Sequence, residues 1–184
     1  MQTMRKTGTK IFSWVLLLLL LAGLLTGCGT NDQENSADGQ RVLRYGSGDY
    51  TAINPALYEH GEINALLFAG LTAHNEKNEV VPGLAEDWSF DEKTCTYAFS
   101  LRDGLTFHDG EPLTSADVKF TLEAILDEQN GSEIVSNYTD IAEIRCPDAL
   151  TVEIRLTQPN AAFPDYMTIG ILPEHLLAGE DLAT

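Results

Sequence analysis

Two stretches in which apolar and polar residues alternate flank a four-residue polar segment, Asp91-Glu92-Lys93-Thr94. The first stretch spans residues 84–90, and the second spans residues 95–101. Successive side chains of a β-strand point to opposite faces of a sheet, so this alternation puts the apolar residues of each stretch on one face. Two such stretches around a short polar turn predict a β-hairpin.

Two further patterns predict a second hairpin and a helix. Residues 141–146 and 151–156 flank a Pro-Asp turn and predict the hairpin. Residues 114–127 carry apolar side chains at helical spacing. Thr114 and Asp117 resemble a capping box at the start of this helix, with Asp in place of the usual Glu.

Shorter segments complete the predicted elements. Residues 42–45 predict a short strand, which is followed by a loop marked by its Gly, Asp and Asn-Pro residues. Apolar spacing predicts a helix over residues 62–71 and another that opens within residues 171–177. The sequence therefore predicts one α/β unit of mixed α+β character, without internal repeats.

The first 27 residues differ from the rest of the chain. Arg5, Lys6 and Lys10 precede an apolar run of 15 residues, from Ile11 to Leu25. This layout is typical of a bacterial signal peptide. A membrane-spanning helix needs about 20 residues, so the short run favours a signal peptide over the alternative of an uncleaved N-terminal anchor.

Residues 25–28, Leu-Thr-Gly-Cys, resemble the lipobox of bacterial lipoproteins, in which the Cys is lipidated and becomes the N-terminus. The sequence therefore predicts Cys28 as a lipidation site. Several acyl chains would hold the protein at a membrane, because each buried CH₂ contributes about 0.8 kcal/mol. Residues 28–40 are polar, and we expect them to form a flexible tether to a folded part that begins at residue 41.

The chain is strongly acidic, with 28 Asp and Glu, 11 Lys and Arg, and a net charge of −17. Three of the basic residues and none of the acidic ones precede Cys28, so removal of residues 1–27 leaves 8 basic residues and a net charge of −20. This charge argues against binding of nucleic acid or of an anionic membrane surface. A solvated acidic surface is the simpler interpretation, and a site for cationic partners is the alternative.

Two cysteines remain beyond Cys28. Cys95 and Cys146 share strand parity with apolar neighbours, which favours small buried core residues. An exported protein can also join two such residues in a disulfide, and the sequence leaves this alternative open.

Residues 107–120 concentrate polar side chains around a Gly and a Pro, and the neighbours His108 and Asp109 raise the hypothesis of a catalytic or metal site. The four histidines of the chain lack the spacing of a helical zinc pair, and the sequence contains no Cys-x-x-Cys, no Gly-x-Ser-x-Gly and no Walker-type loop. The stretch is therefore interpreted as a turn that leads into the helix at 114–127, without a catalytic residue, metal or cofactor.

Five strings, in this order and over almost all of residues 41–182, resemble the family 5 solute-binding proteins of ABC importers for oligopeptides, dipeptides and nickel. They are Asn54-Pro55, Pro-Gly-Leu-Ala-Glu-Asp-Trp at 82–88, the segment 97–120, the stretch 148–159 and Ile-Leu-Pro-Glu-His-Leu at 171–176. The resemblance implies two α/β lobes that close on a ligand about a hinge. Family members are much longer than this chain, so residues 41–184 would form part of the first lobe.

The resemblance also implies three stretches near the ligand cleft. A tyrosine at the place of Tyr58 contacts the chelate in nickel-type relatives. Loops carry polar and aromatic residues for structural reasons too, and that alternative stays open at each position. The candidate ligand-binding residues are Asp49, Tyr50, Asn54 and Tyr58 in the first stretch, Ser132, Ile134 and Asn137 in the second, and Tyr166 and Met167 in the third.

The implied function is capture of oligopeptides or dipeptides by a lipid-anchored protein outside the cytoplasmic membrane or in the periplasm. The protein would deliver them to an ABC permease that is driven by separate ATPase subunits, and it would be no enzyme. Nickel or another metal chelate is the alternative ligand. A peptide-sensing surface lipoprotein without a transport role is the alternative function.

Overall fold

A computed structural model of the protein describes residue 46, residues 53–58 and residues 61–182. Within these residues, no helix combines the length and the hydropathy needed to cross a membrane. Several expectations fall on residues outside the described ranges: the signal peptide at 1–27, the tether at 28–40, the strand at 42–45, and the candidate residues Cys28, Asp49 and Tyr50.

The described helices and strands all belong to one compact unit, Gly48–Thr184. Two single-turn 3₁₀ helices, Glu128–Asn130 and Val135–Asn137, connect the longest helix to the strand that follows it. In chain order, the other elements are α1 (Gly61–Leu67), β1 (Thr72–His74), β2 (Val80–Pro82), β3 (Ala85–Asp91), β4 (Thr96–Leu101), α2 (Ser115–Leu126), β5 (Ile141–Asp148), β6 (Thr151–Leu156), α3 (Phe163–Tyr166) and α4 (Glu174–Leu177).

An antiparallel sheet in the order β3-β4-β6-β5 is the framework of this unit, and β1 pairs with β2 in a separate two-stranded sheet. Both hairpins predicted from the sequence are confirmed. The β3–β4 hairpin closes with Asp91 opposite Thr96, and the β5–β6 hairpin closes with Asp148 opposite Thr151. The mixture of helix and antiparallel sheet agrees with the predicted fold class.

Strict alternation in the two central strands creates one apolar face of the sheet. The large apolar residues of β4 and β6 are buried, whereas Ser100 and Arg155 point to solvent. Each fully buried Val, Leu, Ile or Phe side chain contributes about 1.5–3 kcal/mol relative to an exposed one. The buried residues of these strands are Tyr97, Phe99, Leu101, Val152, Ile154 and Leu156.

Helix α2 begins with the capping box that the sequence predicts. The Thr114 hydroxyl accepts a hydrogen bond from the Ala116 N–H (3.3 Å), and the Asp117 carboxylate accepts one from the Thr114 N–H (2.8 Å). Asp117 is buried, and its other oxygen accepts a hydrogen bond from the Glu174 N–H (3.0 Å). One carboxylate therefore caps α2 and ties α4 to it.

Two predicted helices are shorter in the structure than in the sequence-based expectation. The helix expected at 62–71 ends at Leu67, and the helix expected within 171–177 begins only at Glu174. Pro173 precedes Glu174 with an extended backbone, and Leu172 donates its N–H to the Thr121 hydroxyl (2.9 Å) instead of to a helical carbonyl. Tertiary hydrogen bonds therefore override the helical periodicity on this side.

Cys95 and Cys146 are free thiols, so the structure contradicts the alternative of a disulfide between them. Cys95 accepts the backbone hydrogen bond of Leu156 at one end of the sheet. Cys146 follows Arg145, which lies opposite Glu153. The two sites are thus separated by about three to four residues of β6, at about 3.3 Å per residue, whereas a disulfide requires Cα atoms within about 7 Å. Both thiols are half-buried rather than part of the closed core.

Residues 106–112 form a tight turn, in agreement with the structural interpretation of the His-Asp pair. Phe107 donates its N–H to the Glu111 carbonyl (2.9 Å), and Gly110 adopts a φ of +94°, which favours glycine. His108 is exposed. Asp109 instead accepts a hydrogen bond from the Nε2–H of His175 (2.7 Å), which links this turn to α4.

Candidate ligand-binding cleft

A cleft of about 730 Å³ lies where segments from three parts of the chain meet. The first segment contains Tyr58, the second contains Ile134 and Asn137, and the third contains Tyr166. The remaining lining residues come from these segments, from α1 and from the β1–β2 region: Pro55, Asn64, Ala65, Phe68, Ala69, Gly70, Thr72, Ala73, His74, Gly83, Tyr138, Asp165, Thr168, Ile169 and Gly170.

Three of the lining residues are glycines at positions where a side chain would collide with a neighbour. A Cβ on Gly70 would lie 2.6 Å from the carbonyl oxygen of Met167, and a Cβ on Gly83 would lie 2.6 Å from that of Gly70. A Cβ on Gly170 would lie 2.3 Å from the Cβ of Phe68. These close approaches bring backbone groups together in the cleft wall, an arrangement that larger residues would prevent.

Hydrogen bonds hold the first segment against the second. The Ser132 hydroxyl donates to the Ala56 carbonyl (2.6 Å), and the Glu133 N–H donates to the Leu57 carbonyl (2.9 Å). Ala56 and Leu57 are fully buried, whereas Tyr58 is half-buried at the cleft. Ser132 therefore positions the segment that presents Tyr58, and it is itself buried away from the lining.

A tyrosine pair connects the second segment with the third. The buried Tyr138 hydroxyl donates a hydrogen bond to the Tyr166 carbonyl (2.6 Å), and the ring centroids lie 6.2 Å apart. Burial raises the pKa of Tyr138, so its hydroxyl stays protonated and remains a donor. This bond fixes the backbone at Tyr166 and leaves the half-buried Tyr166 ring on the cleft surface.

A hydrogen bond joins a histidine and a carboxylate in the cleft wall. The His74 Nε2–H donates to an Asp165 carboxylate oxygen at 2.8 Å, and both side chains are partly exposed. His74 ends β1, and Asp165 belongs to α3, so the pair joins two elements across one edge of the cleft. Among the described lining residues, Asp165 carries the one carboxylate, and no Lys or Arg is present.

The structure brings four of the sequence-predicted residues, Tyr58, Ile134, Asn137 and Tyr166, to one cleft. Met167 does not line it, because its side chain points from the end of α3 into the core and is 1% exposed. Asn54 has a local structural contact: its Oδ1 accepts from the Ala56 N–H (3.0 Å).

Sequence reasoning missed Asn64, His74, Asp165 and the three cleft glycines. His74 and Asp165 are 91 positions apart in the chain, and no local pattern indicates their contact. The glycines carried a weak signal, since Gly70 and Gly170 lie within apolar segments where glycine has little local reason to occur. Groups of three or more His, Cys, Asp or Glu that could hold a metal ion are absent from the described part of the chain.

An open cleft walled by aromatic rings, amides and backbone, on a mixed α/β unit, has the features of a module that binds small solutes. The family model for "Bacterial extracellular solute-binding proteins, family 5 Middle" matches residues 79–178. The chain belongs to this family of solute-binding proteins, as the sequence resemblance predicted.

Solved structures of relatives share the fold. The crystal structure of NikZ from Campylobacter jejuni in complex with Ni(L-His) is 38% identical, with a TM-score of 0.70 over 74% of this chain and 28% of that chain. The oligopeptide-binding protein AppA of Bacillus subtilis, solved in complex with a nonapeptide, is 26% identical, with a TM-score of 0.68 over 74% of this chain and 28% of that chain. These neighbours are two-lobe binding proteins, in agreement with the predicted architecture.

A Brucella ovis protein whose name refers to peptide binding by an ABC transporter is 36% identical over 113 residues, which are 60% of this chain and 21% of that protein. AppA of Bacillus subtilis is 27% identical over 97% of this chain and 35% of its own length. The chain therefore spans about a fifth to a third of the relatives that it matches.

Proposed function

We propose that the protein is the solute-binding component of an ABC importer and that it captures oligopeptides or dipeptides outside the cytoplasmic membrane. One observation carries the proposal: Tyr58, Ile134, Asn137 and Tyr166, from three distant segments of the chain, meet in one cleft. The family of the chain and the names of its relatives support a small solute, rather than a macromolecule, as the ligand of this cleft.

The chemistry of the wall suits a peptide. Aromatic rings provide apolar contact area, and the side-chain amides of Asn64 and Asn137 on the cleft wall can pair with the backbone of a ligand. The Asp165 carboxylate is already hydrogen-bonded to His74, and the described wall carries no Lys or Arg, so this wall offers little that would select ligand side chains by charge. A pocket that holds the ligand backbone in this way accepts many side chains.

The proposal places the protein on the outer face of the membrane, held by lipid on Cys28 through the tether at 28–40. A permease and separate ATPase subunits would be its partners, and closure of a second lobe over the cleft would signal the bound state to them. The protein would bind and release its ligand without a catalytic residue. A gene neighbourhood with permease and ATPase genes supports transport, whereas their absence supports the sensing alternative.

A metal chelate is the second candidate ligand. Its support is the likeness to NikZ, which is 38% identical and was solved with Ni(L-His). Tyr58 lies on the cleft, as expected for a residue that contacts a chelate, and the His74 imidazole lies on the same wall. Because the described cleft holds no cluster of metal ligands, the nickel would have to arrive with its own chelator.

Mass spectrometry of the ligand that the complete gene product carries through purification tests the proposal. We expect short peptides under native conditions, and their loss after denaturation and refolding. A nickel–histidine complex in their place would favour the second candidate. A carried ligand of another class, such as a sugar or a nucleotide, would refute both.

A further inference from the structure

The side-chain oxygen Oδ1 of Asn64 is buried and has no hydrogen-bond partner. It is the one buried side-chain nitrogen or oxygen of this kind in the described part of the chain. Folded proteins pair nearly all their buried polar atoms, because an unpaired carbonyl loses its hydration and gains nothing in return. An orphan acceptor of this kind therefore points to a partner that binds later.

Asn64 lies in the wall of the cleft, on α1. Its backbone carbonyl accepts a hydrogen bond from the Phe68 N–H (2.8 Å), which fixes the helical turn on which the side chain stands. Residues three and four apart share one face of a helix, and Leu67 and Phe68 offer no side-chain donor. Local structure thus gives the Asn64 oxygen no partner, although it sets the position of the residue.

We infer that Asn64 is a specificity-determining residue of the cleft, whose Oδ1 accepts a hydrogen bond from an N–H group of the bound ligand. The inference rests on the proposed function and narrows it. Asn64 lines the cleft and its terminal torsion is soft, so the inference takes rotation of the amide to be the motion that brings the oxygen to the ligand. Ligands with an N–H donor, namely peptides and amino-acid chelates, pair this oxygen, whereas ligands without any hydrogen-bond donor, such as ionised carboxylates, leave it unpaired.

The inference predicts opposite effects of one substitution on stability and on affinity. Asn64→Leu replaces the amide by an apolar group of similar size and removes the orphan oxygen. The ligand-free protein should therefore melt at an equal or higher temperature, while affinity for an N–H ligand falls about tenfold. Substitution of a residue with a merely structural role would not combine an equal or higher melting temperature with a loss of affinity.

The test is a double-mutant cycle in which Asn64 is changed in the protein and one N–H group is changed in the ligand. Calorimetric titration of the complete gene product measures the affinity of each combination. The probes are a mixture of oligoalanine peptides of three to five residues, the Ni(II)–L-histidine complex, and single-ester analogues of the peptides, in which an oxygen replaces one N–H at a time. The first-position analogue replaces the terminal amine by hydrogen, which removes the donor. If Asn64 accepts from one of these N–H groups, one ester analogue binds wild type about tenfold more weakly and binds Asn64→Leu no differently from the parent peptide. For the chelate, the expected result is a matching loss of affinity in Asn64→Leu.

Asn130→Leu serves as the matched control. The Asn130 amide donates to the Ala124 carbonyl (2.9 Å) and does not line the cleft, so this variant should lose stability and keep its affinity. Asn64→Ala provides a second truncation if Asn64→Leu fails to fold. Equal affinity of wild type and the Asn64 variants, or ester effects that are identical in both, would overturn the inference alone. If wild type binds neither probe class, the proposed function fails, and the inference fails with it.

Discussion

Glycines and small polar residues determine the shape of the cleft at the scale of single residues. Gly170 touches Phe68 and Pro55 so closely that no side chain fits, and Ser132 holds the Ala56 carbonyl at 2.6 Å. The sequence places these residues in loops but does not show which backbone each one meets. Close packing between distant segments becomes visible only in three dimensions.

Gly170→Ala should destabilise the fold by about 1–3 kcal/mol, because the added methyl group would lie 2.3 Å from the Phe68 Cβ and must displace a packed ring. Urea unfolding of the variant measures the change. Gly46→Ala is the matched control, since no atom lies within 4 Å of the added Cβ. Equal unfolding midpoints for the two variants would contradict the close contact.

Ser132→Ala should cost about 1–3 kcal/mol, because it leaves the buried Ala56 carbonyl without its donor. The loss should also loosen the segment that presents Tyr58. Hydrogen exchange at Leu57 and Tyr58, compared with exchange in the distant β5–β6 hairpin, distinguishes this local effect from general unfolding. Uniform acceleration across both regions would contradict the assigned role of Ser132.

At the scale of elements, short hydrogen-bonded links hold the helices to one another. Asp117 caps α2 and accepts from the first residue of α4, and Asp109 in the turn at 106–112 binds His175 of α4. The capping box was predictable because its two residues are three positions apart. The contacts with α4 were not, because they join residues 57 and 66 positions apart.

Asp117→Ala should destabilise the protein more than Thr114→Ala does. Removal of the Thr114 cap costs about 1 kcal/mol. Removal of Asp117 leaves the N–H groups of both Thr114 and Glu174 without an acceptor in a partly buried region. Denaturant titration of both variants shows which one loses more unfolding free energy. Lys119→Ala, which affects an exposed ion pair within α2, is the control. A larger loss in Thr114→Ala would contradict the shared role of Asp117.

The His175–Asp109 pair should stabilise the protein most between about pH 4 and pH 6.5. The hydrogen bond from His175 lowers the pKa of Asp109 from 3.8, so this contribution is present above that value and is lost as pH falls through the folded pKa. The hydrogen bond to Asp109 raises the pKa of His175 from 6.5, so that contribution is complete below pH 6.5 and is lost as pH rises through the folded pKa.

Melting temperatures of wild type and His175→Gln across pH 3 to 9 test this window. The difference between the two proteins should be largest near pH 5 and should shrink on both sides. His108→Gln is the control, because His108 is exposed and lies next to Asp109 in the chain. A difference that is constant with pH would contradict the ion pair.

The family, the two hairpins and the principal helix of the whole molecule follow from the sequence, because each depends on residues that are close in the chain. The cleft could be predicted only in part. Four of its residues were found through resemblance, whereas the pair His74–Asp165 and the orphan acceptor of Asn64 depend on how distant segments pack. Met167 shows most clearly how far cleft residues can be predicted from the sequence, since it follows the cleft residue Tyr166 in the chain and yet lies in the core.

The central claim is that the cleft belongs to a protein that captures peptides. The shift in melting temperature of the complete gene product, titrated with oligoalanine peptides and with Ni(II)–L-histidine, tests it most directly. Binding stabilises a folded protein as ligand concentration rises above the dissociation constant. We expect a saturable upward shift with peptides, which is reduced in Tyr58→Ala and unchanged in Lys119→Ala. The absence of a saturable shift with peptides would contradict the claim, and a shift with Ni(II)–L-histidine alone would favour the second candidate ligand.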